Sequence, residues 1–358
     1  MTSFDVIVAG AGPAGAASAL KCAKQGYSTL LLEKERPGRH KPCGGIAPTL
    51  CADILDDELE LKLPPEVMCS PNTLGLFYVP PSGKEKSGSL KNYRLLNLNR
   101  DLFDQWLCKA AEDSGVKILY ETEFLEFQNT ESIGVLAKNK EGRLIELESR
   151  YLIGADGVFS KVRRQLYPDS KVTTMPILQE HSQAKGEFGG YFYAFFKGEV
   201  TPSYAYLIPK DGLFIIGTAV PQGYPISISV CLNKFKEWLR QDFAFEQISL
   251  ERKESGAIPY HSLFNGDGDI ILAGDAAGFC NPFSGEGIRL AIESGVLAGE
   301  AVARATHSDS SLSSIYSRQI EGLNGFIRRT YEFSVALTDD GREKFVSTEL
   351  KRTSLSQC

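Results

Sequence analysis

The chain has 358 residues, of which 42% are hydrophobic and 23% charged, with a formal net charge of −6. This is ordinary soluble composition with enough apolar material for two interleaved domains. The acidic balance, with no basic stripe interleaved with aromatics, argues against nucleic acid as a partner. The eight cysteines form no Cys-x-x-Cys pair and the four histidines are isolated, so neither a disulfide framework nor a metal site is indicated, and a reducing, cytoplasmic setting is expected.

Asp5–Leu20 (DVIVAGAGPAGAASAL) reads as an apolar strand, a glycine-rich turn and a helix start. No basic segment precedes it, so it is not read as a signal peptide. Gly10 permits the tight turn, Gly12 lets backbone approach a pyrophosphate, and Gly15 lets the helix pack close to the strand. Pro13 and Ala14 open the helix, where the missing N–H of proline costs nothing and free N–H groups face the phosphates. The helix is predicted to run to about Gln25, with Gly26 as its stop. A second strand, Ser28–Glu33, ends in an acid about 20 residues past the glycines, where a ribose hydroxyl is met. Glu33 in place of an arginine points to a ribose without a 2′-phosphate; Lys34 follows it at the same edge.

Lys34–Pro48 is a loop rich in Pro, Gly and basic residues, and helical or irregular stretches follow to about Pro65. A strand over Tyr93–Leu98 leads into an amphipathic helix predicted to bury Leu102, Phe103, Trp106, Leu107 and Ala110, ended by Gly115. Arg100 opens that helix beside the adenosine site, or else makes a local ion pair with Asp101 or Asp104. A strand begins at Val116, and Glu123–Gln128, Gly134–Asn139 and Arg143–Ser149 alternate like antiparallel strands. Leu152–Arg164 (LIGADGVFSKVRR) is a second nucleotide-type strand ending in Asp156-Gly157. Ser160, Arg163 and Arg164 behind it meet backbone or phosphate, or the two arginines form a solvated helix face.

From about Pro176 to Pro259 the chain is rich in Tyr and Phe, with strands near Phe188–Phe196, Ser203–Ile208 and Leu213–Val220 and a helix around Leu232–Gln241. Asp269–Ile292 then repeats the nucleotide-type pattern. Its strand ends in Gly274-Asp275, whose acid accepts a ribityl hydroxyl. A loop containing Cys280, Pro282, Phe283, Gly285 and Gly287 covers the flavin, and the helix from Ile288 buries Ile288, Ile292, Val296 and Val302. Its first N–H groups aim at the pyrimidine edge, where charge develops on reduction. Three such segments in this order and at these separations point to bound FAD.

The expected fold is α/β: a Rossmann-like FAD-binding domain with an inserted antiparallel β-sheet substrate domain, in the p-hydroxybenzoate-hydroxylase-like arrangement. Residues 1–65, 93–175 and 260–310 are assigned to the first, 66–92 and 176–259 to the second, and 311–358 to a mostly helical tail.

GAGPAG, GADG…VRR and GDAAG…P…GEGI resemble the flavoprotein hydroxylase-like superfamily across nearly the whole chain. Within it, Lys41-Pro42-Cys43-Gly44-Gly45 resembles the lysine-x-cysteine-glycine-glycine signature of the geranylgeranyl reductase family. Asn99-Arg100-x-x-Phe103-Asp104 is similar to that family's asparagine/aspartate-arginine-x-x-phenylalanine-aspartate stretch, and Tyr204–Lys210 (YAYLIPK) to its tyrosine-x-tryptophan-x-phenylalanine-proline-lysine segment. Two positions depart from the pattern: Tyr206 stands where tryptophan is usual, and Gly285-Glu286-Gly287 where three glycines are common. They leave the substrate open. Hydroxylases usually carry histidine where this chain has Gly278, and Tyr204–Pro209 echoes the tryptophan-rich halogenase segment only loosely; both points favour reduction.

The resemblance implies hydrogenation of isolated double bonds in a polyprenyl chain, with hydride from N5 of reduced flavin and the proton from an acid or an ordered water. It implies Cys43, Gly44 and Gly45 beside the flavin, Cys43 and Tyr206 as catalytic residues, and Tyr204, Tyr206, Pro209, Cys280 and Phe283 against substrate. Tyr191, Phe192, Tyr193, Phe195 and Phe196 either line the slot or fill the sheet's core. Cys43 takes a cavity role as polarity gate or proton relay. Cys280 either shares that cavity or is a small buried hydrophobe, and a disulfide between the two is the lesser alternative. The expected partners are a prenylated lipid or prenyl diphosphate and an electron donor, NADPH or a small iron–sulfur protein. The protein is expected to be cytoplasmic, soluble or attached peripherally where it meets a membrane-borne substrate. The rival readings are an FAD-dependent monooxygenase or halogenase-like enzyme acting on an aromatic or polyketide-like molecule, and a non-enzymatic flavoprotein redox sensor.

Overall fold

A computed structural model describes residues 2–355. The N-terminal unit is β1 (Thr2–Ala9), α1 (Pro13–Lys24) and β2 (Thr29–Leu32). β1 and β2 are parallel, with Ile7 opposite Leu30. Val6–Ala9 and Leu30–Leu32 are buried on both faces, which is why they read as continuous apolar runs instead of alternating. Beyond the basic loop come β3 (Ile46–Pro48) and α2 (Leu50–Leu59), then a long hairpin of β4 (Met68–Val79) and β5 (Gly88–Leu98). α3 (Arg100–Asp113), β6 (Lys117–Leu119), β7 (Thr122–Asn129), β8 (Ile133–Asn139), β9 (Leu144–Gly154) and α4 (Lys161–Leu166) follow.

The aromatic-rich part contains β10 (Thr174–Lys185), β11 (Tyr191–Phe195), β12 (Ala205–Lys210), β13 (Leu213–Ala219), α5 (Ile228–Phe243) and β14 (Glu246–Pro259). β15 (Gly266–Asp267), β16 (Ile270–Leu272) and α6 (Ile288–Thr306) return to the first sheet. The chain ends in α7 (Leu312–Gln319), α8 (Glu321–Ala336) and α9 (Asp339–Leu355).

Two eight-stranded sheets result. The first runs β15-β16-β9-β1-β2-β6, with the β7–β8 pair joined to the early half of β9. Its centre is parallel: Ile7 lies opposite Leu152, and Leu152 opposite Ile270. α1, α3 and α6 pack on this sheet and share one apolar core with it. The second sheet runs β14-β10-β13-β12-β11-β4-β5-β3, antiparallel except where β11 meets β4. Residues on its two faces alternate. Tyr193 and Phe195 join Leu232, Phe235 and Trp238 of α5 in a separate core, while Phe192, Ala194 and Phe196 look the other way, into a cavity. β5 is one unbroken strand across position 93, and it belongs to this second sheet. Among the described residues no helix is long and apolar enough to cross a membrane.

Two expectations are corrected. The buried stripe of α3 is Arg100, Phe103, Asp104, Leu107, Cys108 and Ala111, whereas Leu102 is 44% exposed. Two charged residues occupy buried turns because they neutralise each other, so a stripe sought only among apolar residues came out rotated. The long strands β10 and β14, partners over their whole length, were not expected. β14 is the sheet's solvated edge, and β10 carries Gln179, Glu180 and His181 in its middle, so neither shows the alternation that marks a half-buried strand.

Candidate active site

One cavity of about 810 Å³ lies between the two sheets, at the upper end of the size of ligand sites (~300–1,000 Å³). Its floor is made where four parallel strands end: Ala9 into Gly10, Leu32 into Glu33, Gly154 into Ala155-Asp156, and Leu272 towards Asp275. Carboxyl ends of parallel strands are where open α/β sheets bind ligands. Gly10 has φ +97°, and a Cβ there would lie 2.5 Å from Ala155 O. A Cβ on Gly15 would stand 1.8 Å from Gly10 O, so the helix rests directly on the turn. Gly12 is different: the nearest atom to a Cβ there is Arg39 Nη2 at 3.7 Å, and its open side is cavity. Gly12 is the N-cap of α1 and Gly287 that of α6, so neither helix has a capping side chain. Both helix starts therefore offer N–H groups and a positive dipole end to whatever fills the cavity.

Polar groups are distributed along this floor. Glu33 accepts from Ala11 N at 3.0 Å and Glu35 N at 2.9 Å, with Arg39 Nε 3.5 Å away. Asp156 Oδ2 accepts from Lys161 N (2.6 Å) and Val162 N (3.3 Å), while its Oδ1 is buried with no protein partner. Burial pushes the Asp156 carboxyl above its ordinary range, against those hydrogen bonds. Burial also raises Asp275, opposed by the charges of Lys41, Arg100 and Arg163. Arg100 makes the expected local ion pair and also faces the cavity. Its guanidinium grips Asp104 through two hydrogen bonds of 2.9 Å, and it lines the cavity. Arg163 does not reach the cavity; it donates to Val158 O (2.5 Å) and Ala276 O (2.9 Å), joining two of the floor's loops. Arg164 does line it.

The roof is aromatic. Along β12 and the residue before it, Tyr204, Tyr206 and Ile208 face the cavity. Pro209 does not line it, because side chains alternate along a strand and its neighbour Ile208 takes the inward place. Tyr204 OH donates to Ser284 O at 2.5 Å. Phe196 stacks on Phe283 at 6.0 Å, and Phe345 of α9 packs against Phe196, Phe283 and Tyr78 at 5.4–5.9 Å between ring centroids, backing these lining rings from behind.

Most residues predicted for the site meet here. Gly10, Gly12, Pro13, Ala14, Glu33, Lys34, Cys43, Gly44, Gly45, Asp156, Gly157, Asp275, Cys280, Pro282, Phe283, Gly285, Gly287 and Ile288 all line the cavity. Gly15 and Gly274 stand behind its wall; a Cβ on Gly274 would lie 2.8 Å from Ala14 Cβ, so both serve close packing. Cys43 and Cys280 are free thiols. Gly45 N donates to Cys43 Sγ at 3.3 Å, and burial pushes the Cys280 thiol far up, which favours an inert packing group. Gly278 has φ +92°, and a Cβ there would come within 1.8 Å of Ser262 O, so this backbone path has no room for a side chain.

Sequence reading missed one polar cluster on the wall. Gln179 Nε2 donates to Glu254 Oε2 at 2.7 Å, His40 Nε2 lies 2.7 Å from Glu254 Oε1, and Tyr206 OH donates to Gln179 Oε1 at 2.9 Å. Buried Gln and Glu in strands were the available signal, but β10 and β14 had not been recognised as strands.

The FAD binding domain family profile matches residues 3–320. Geranylgeranyl diphosphate reductase of Rhodobacter capsulatus is 30% identical over 361 aligned residues, covering 96% of this chain and 87% of that protein. Protein CbrA of Escherichia coli O9:H4 is 30% identical over 302 residues, covering 82% of this chain and 80% of that one. The crystal structure of a geranylgeranyl bacteriochlorophyll reductase-like protein from Thermoplasma acidophilum superposes with a TM-score of 0.83 at 22% identity, covering 98% of this chain and 92% of that one. The halogenase CmlS and pqsL of Pseudomonas aeruginosa, a probable FAD-dependent monooxygenase, share the fold at 18% identity with TM-scores of 0.70 and 0.72.

Proposed function

The chain belongs to the FAD binding domain family, among the geranylgeranyl reductase-like flavoproteins, and from that premise we propose that this FAD-dependent oxidoreductase hydrogenates isolated double bonds of a polyprenyl chain carried on a lipid or lipid precursor. The observation that supports this most is the pairing of a floor onto which two glycine-capped helix starts open with an aromatic, apolar roof in one cavity. The floor fits FAD: Gly12 is open to a diphosphate, two uncapped helix starts face the cavity, and Asp156 Oδ1 is buried with no donor from the protein. In this reading Gly10, Gly12, Pro13 and Ala14 hold the diphosphate, Glu33 the ribose, Asp275 the ribityl chain, and the start of α6 the pyrimidine edge. Reduced FAD supplies the hydride.

The protein's own part is placement and exclusion of water. An unactivated alkene develops no oxyanion for a hydrogen-bond donor to stabilise, so a near-attack fit in a dry slot carries the rate. Phe192, Phe196, Tyr204 and Phe283, which line the cavity, take that role in this reading, with Phe345 packed behind Phe196 and Phe283. Cys43, half-buried in the loop beside the floor, takes the role of polarity gate or proton relay. The electron donor in this reading is NADPH or a small iron–sulfur protein, and the protein meets its lipid at the membrane surface.

The test is anaerobic. The holoenzyme is reduced with dithionite and given a geranylgeranylated lipid or geranylgeranyl diphosphate, and product mass is followed. A gain of one hydrogen pair per double bond, with flavin reoxidised in the absence of oxygen, is the expected result. No mass change, together with oxygen-dependent reoxidation stimulated by an aromatic substrate, would move the assignment to a monooxygenase.

A further inference from the structure

The polar cluster missed by sequence reading is a straight row across four strands. Tyr206 of β12 lies opposite Gly217 of β13, Gly217 opposite Gln179 of β10, and Gln179 opposite Glu254 of β14. A Cβ on Gly217 would sit 2.4 Å from the Tyr206 hydroxyl. The missing side chain is what lets the tyrosine ring cross its neighbouring strand and reach Gln179.

Matching donors to acceptors gives the row a direction. Burial alone would raise the Glu254 carboxyl, but the hydrogen bond from Gln179 and the charges of His181 and Arg252, with His40, hold it below its ordinary value. As a carboxylate it only accepts. Its Oε2 therefore takes the Gln179 NH₂ at 2.7 Å, with His181 Nε2 at 3.2 Å from the same oxygen. Its Oε1 faces Arg252 Nε at 2.6 Å and His40 Nε2 at 2.7 Å. Since the amide nitrogen is committed, Gln179 must show its carbonyl oxygen to Tyr206, and the single phenolic proton of Tyr206 goes to that oxygen at 2.9 Å. What the tyrosine offers the cavity is a lone pair.

We propose that Glu254 and Gln179 are positioning residues that hold the Tyr206 proton out of the cavity, so that this tyrosine meets the cavity's occupants as a hydrogen-bond acceptor and not as an acid. This rests on the cavity being the site of flavin and substrate. Under that reading the proton consumed in hydrogenating a double bond is drawn from water or from the Cys43 side, and an occupant bearing an N–H or O–H group against Tyr206 is favoured over one bearing only acceptors.

The experiment reads the tyrosine itself. With 3-fluorotyrosine placed at position 206 of the FAD-loaded full chain, ¹⁹F resonance against alkaline pH gives the ionisation of that phenol. A phenolate needs a donor, and the amide can turn to supply one only when Glu254 no longer holds its nitrogen. Glu254→Gln is therefore expected to increase the ionisation constant of residue 206 about tenfold more when Gln179 is present than in a Gln179→Met background. The Met background removes the amide while keeping its bulk, so it isolates the plain loss of negative charge at 254. His40, His181, Arg252 and Asp101, with Lys210 beyond His181, are charged or titratable groups around the carboxylate, Tyr204 and Cys43 act on the Tyr206 phenol itself, and all are common to both backgrounds. An equal effect of Glu254→Gln in the two backgrounds would overturn the proposal. No turnover is required, so the measurement decides the direction of the row even in a protein that binds FAD and leaves prenyl chains untouched, and failure of the substrate reading stays distinct from failure of this one.

Discussion

Gly12→Ala and Gly15→Ala are the same chemical change three residues apart, and the structure assigns them opposite consequences. At Gly12 the backbone has φ −74° and ψ −179°, open to any residue, and the nearest atom to the new methyl is 3.7 Å away. Alanine is a poorer N-cap than glycine, by roughly 0.5–1 kcal/mol, and it gains ~0.4–1 kcal/mol by restricting the unfolded chain. The apo protein should thus keep its stability to within about 0.5 kcal/mol. In the proposed function the methyl instead stands where the diphosphate would approach. Loss of one hydrogen bond to a charged group, ~1.5–3 kcal/mol, weakens FAD binding by roughly 10- to 150-fold. At Gly15 the methyl would fall 1.8 Å from Gly10 O and 3.2 Å from Ala155 Cβ. That is a methyl driven into backbone, and overpacking of this kind costs about 1–3 kcal/mol or more with no cofactor present. Urea unfolding of both apo variants and fluorescence titration with FAD separate the two. Gly12→Ala with a destabilised apo form, or with unchanged FAD affinity, would refute the reading of Gly12 as the open side of the cradle.

Three further outcomes are expected. Cys43→Ala should retain FAD but lose about 10²–10⁴ in turnover if the thiol relays a proton, or change its product pattern if it gates polarity; unchanged rate and products in a prenyl-reduction assay would remove it from the mechanism. Gly217→Ala should drive the Tyr206 ring from its place and cost about 1–3 kcal/mol, while Gly322→Ala on α8, with open space around its Cβ, should stabilise by up to about 1 kcal/mol; thermal melts showing no difference between them would contradict the cross-strand contact. Asp275→Asn should stabilise the apo protein at neutral pH. Burial holds this carboxyl above its unfolded value of 3.8, so its charge weakens the fold once pH exceeds that value, and the variant's advantage should shrink as pH falls towards it. Urea midpoints of both proteins at neutral pH and at about pH 4 check the sign.

The cavity floor was legible because its physics is local. A glycine turn, an acid at the end of the next strand and a free helix start are each written within a few consecutive residues, and Gly10–Ala14, Glu33, Asp156 and Asp275 came out at one cavity. The roof was legible only in part. Tyr204 and Tyr206 were placed facing it, but Pro209 was grouped with them by nearness in sequence, against the alternation of the strand. Gln179 and Glu254 were invisible for a different reason. They are 75 residues apart and sit in strands that read as polar, and what makes them a unit is a register no single segment specifies. The α3 stripe failed similarly, since the burial of Arg100 depends on Asp104 being there to meet it.

The floor is assembled from three places in the chain, and this has a consequence for how the protein is made. Gly10, Asp156 and Asp275 sit at the ends of β1, β9 and β16, whose pairing joins segments more than 250 residues apart with the whole second sheet encoded between them. At roughly 5–20 residues per second, synthesis separates Gly10 from Ile288 by roughly 15–55 s. Through that interval the first βαβ unit has been translated, while the strand on the far side of β9 and the helix start that complete the floor have not. Contacts of such separation form late. In the proposed reading, cofactor capture is thus an event of the completed chain, and a ribosome stalled before α6 displays only part of the floor assigned to FAD.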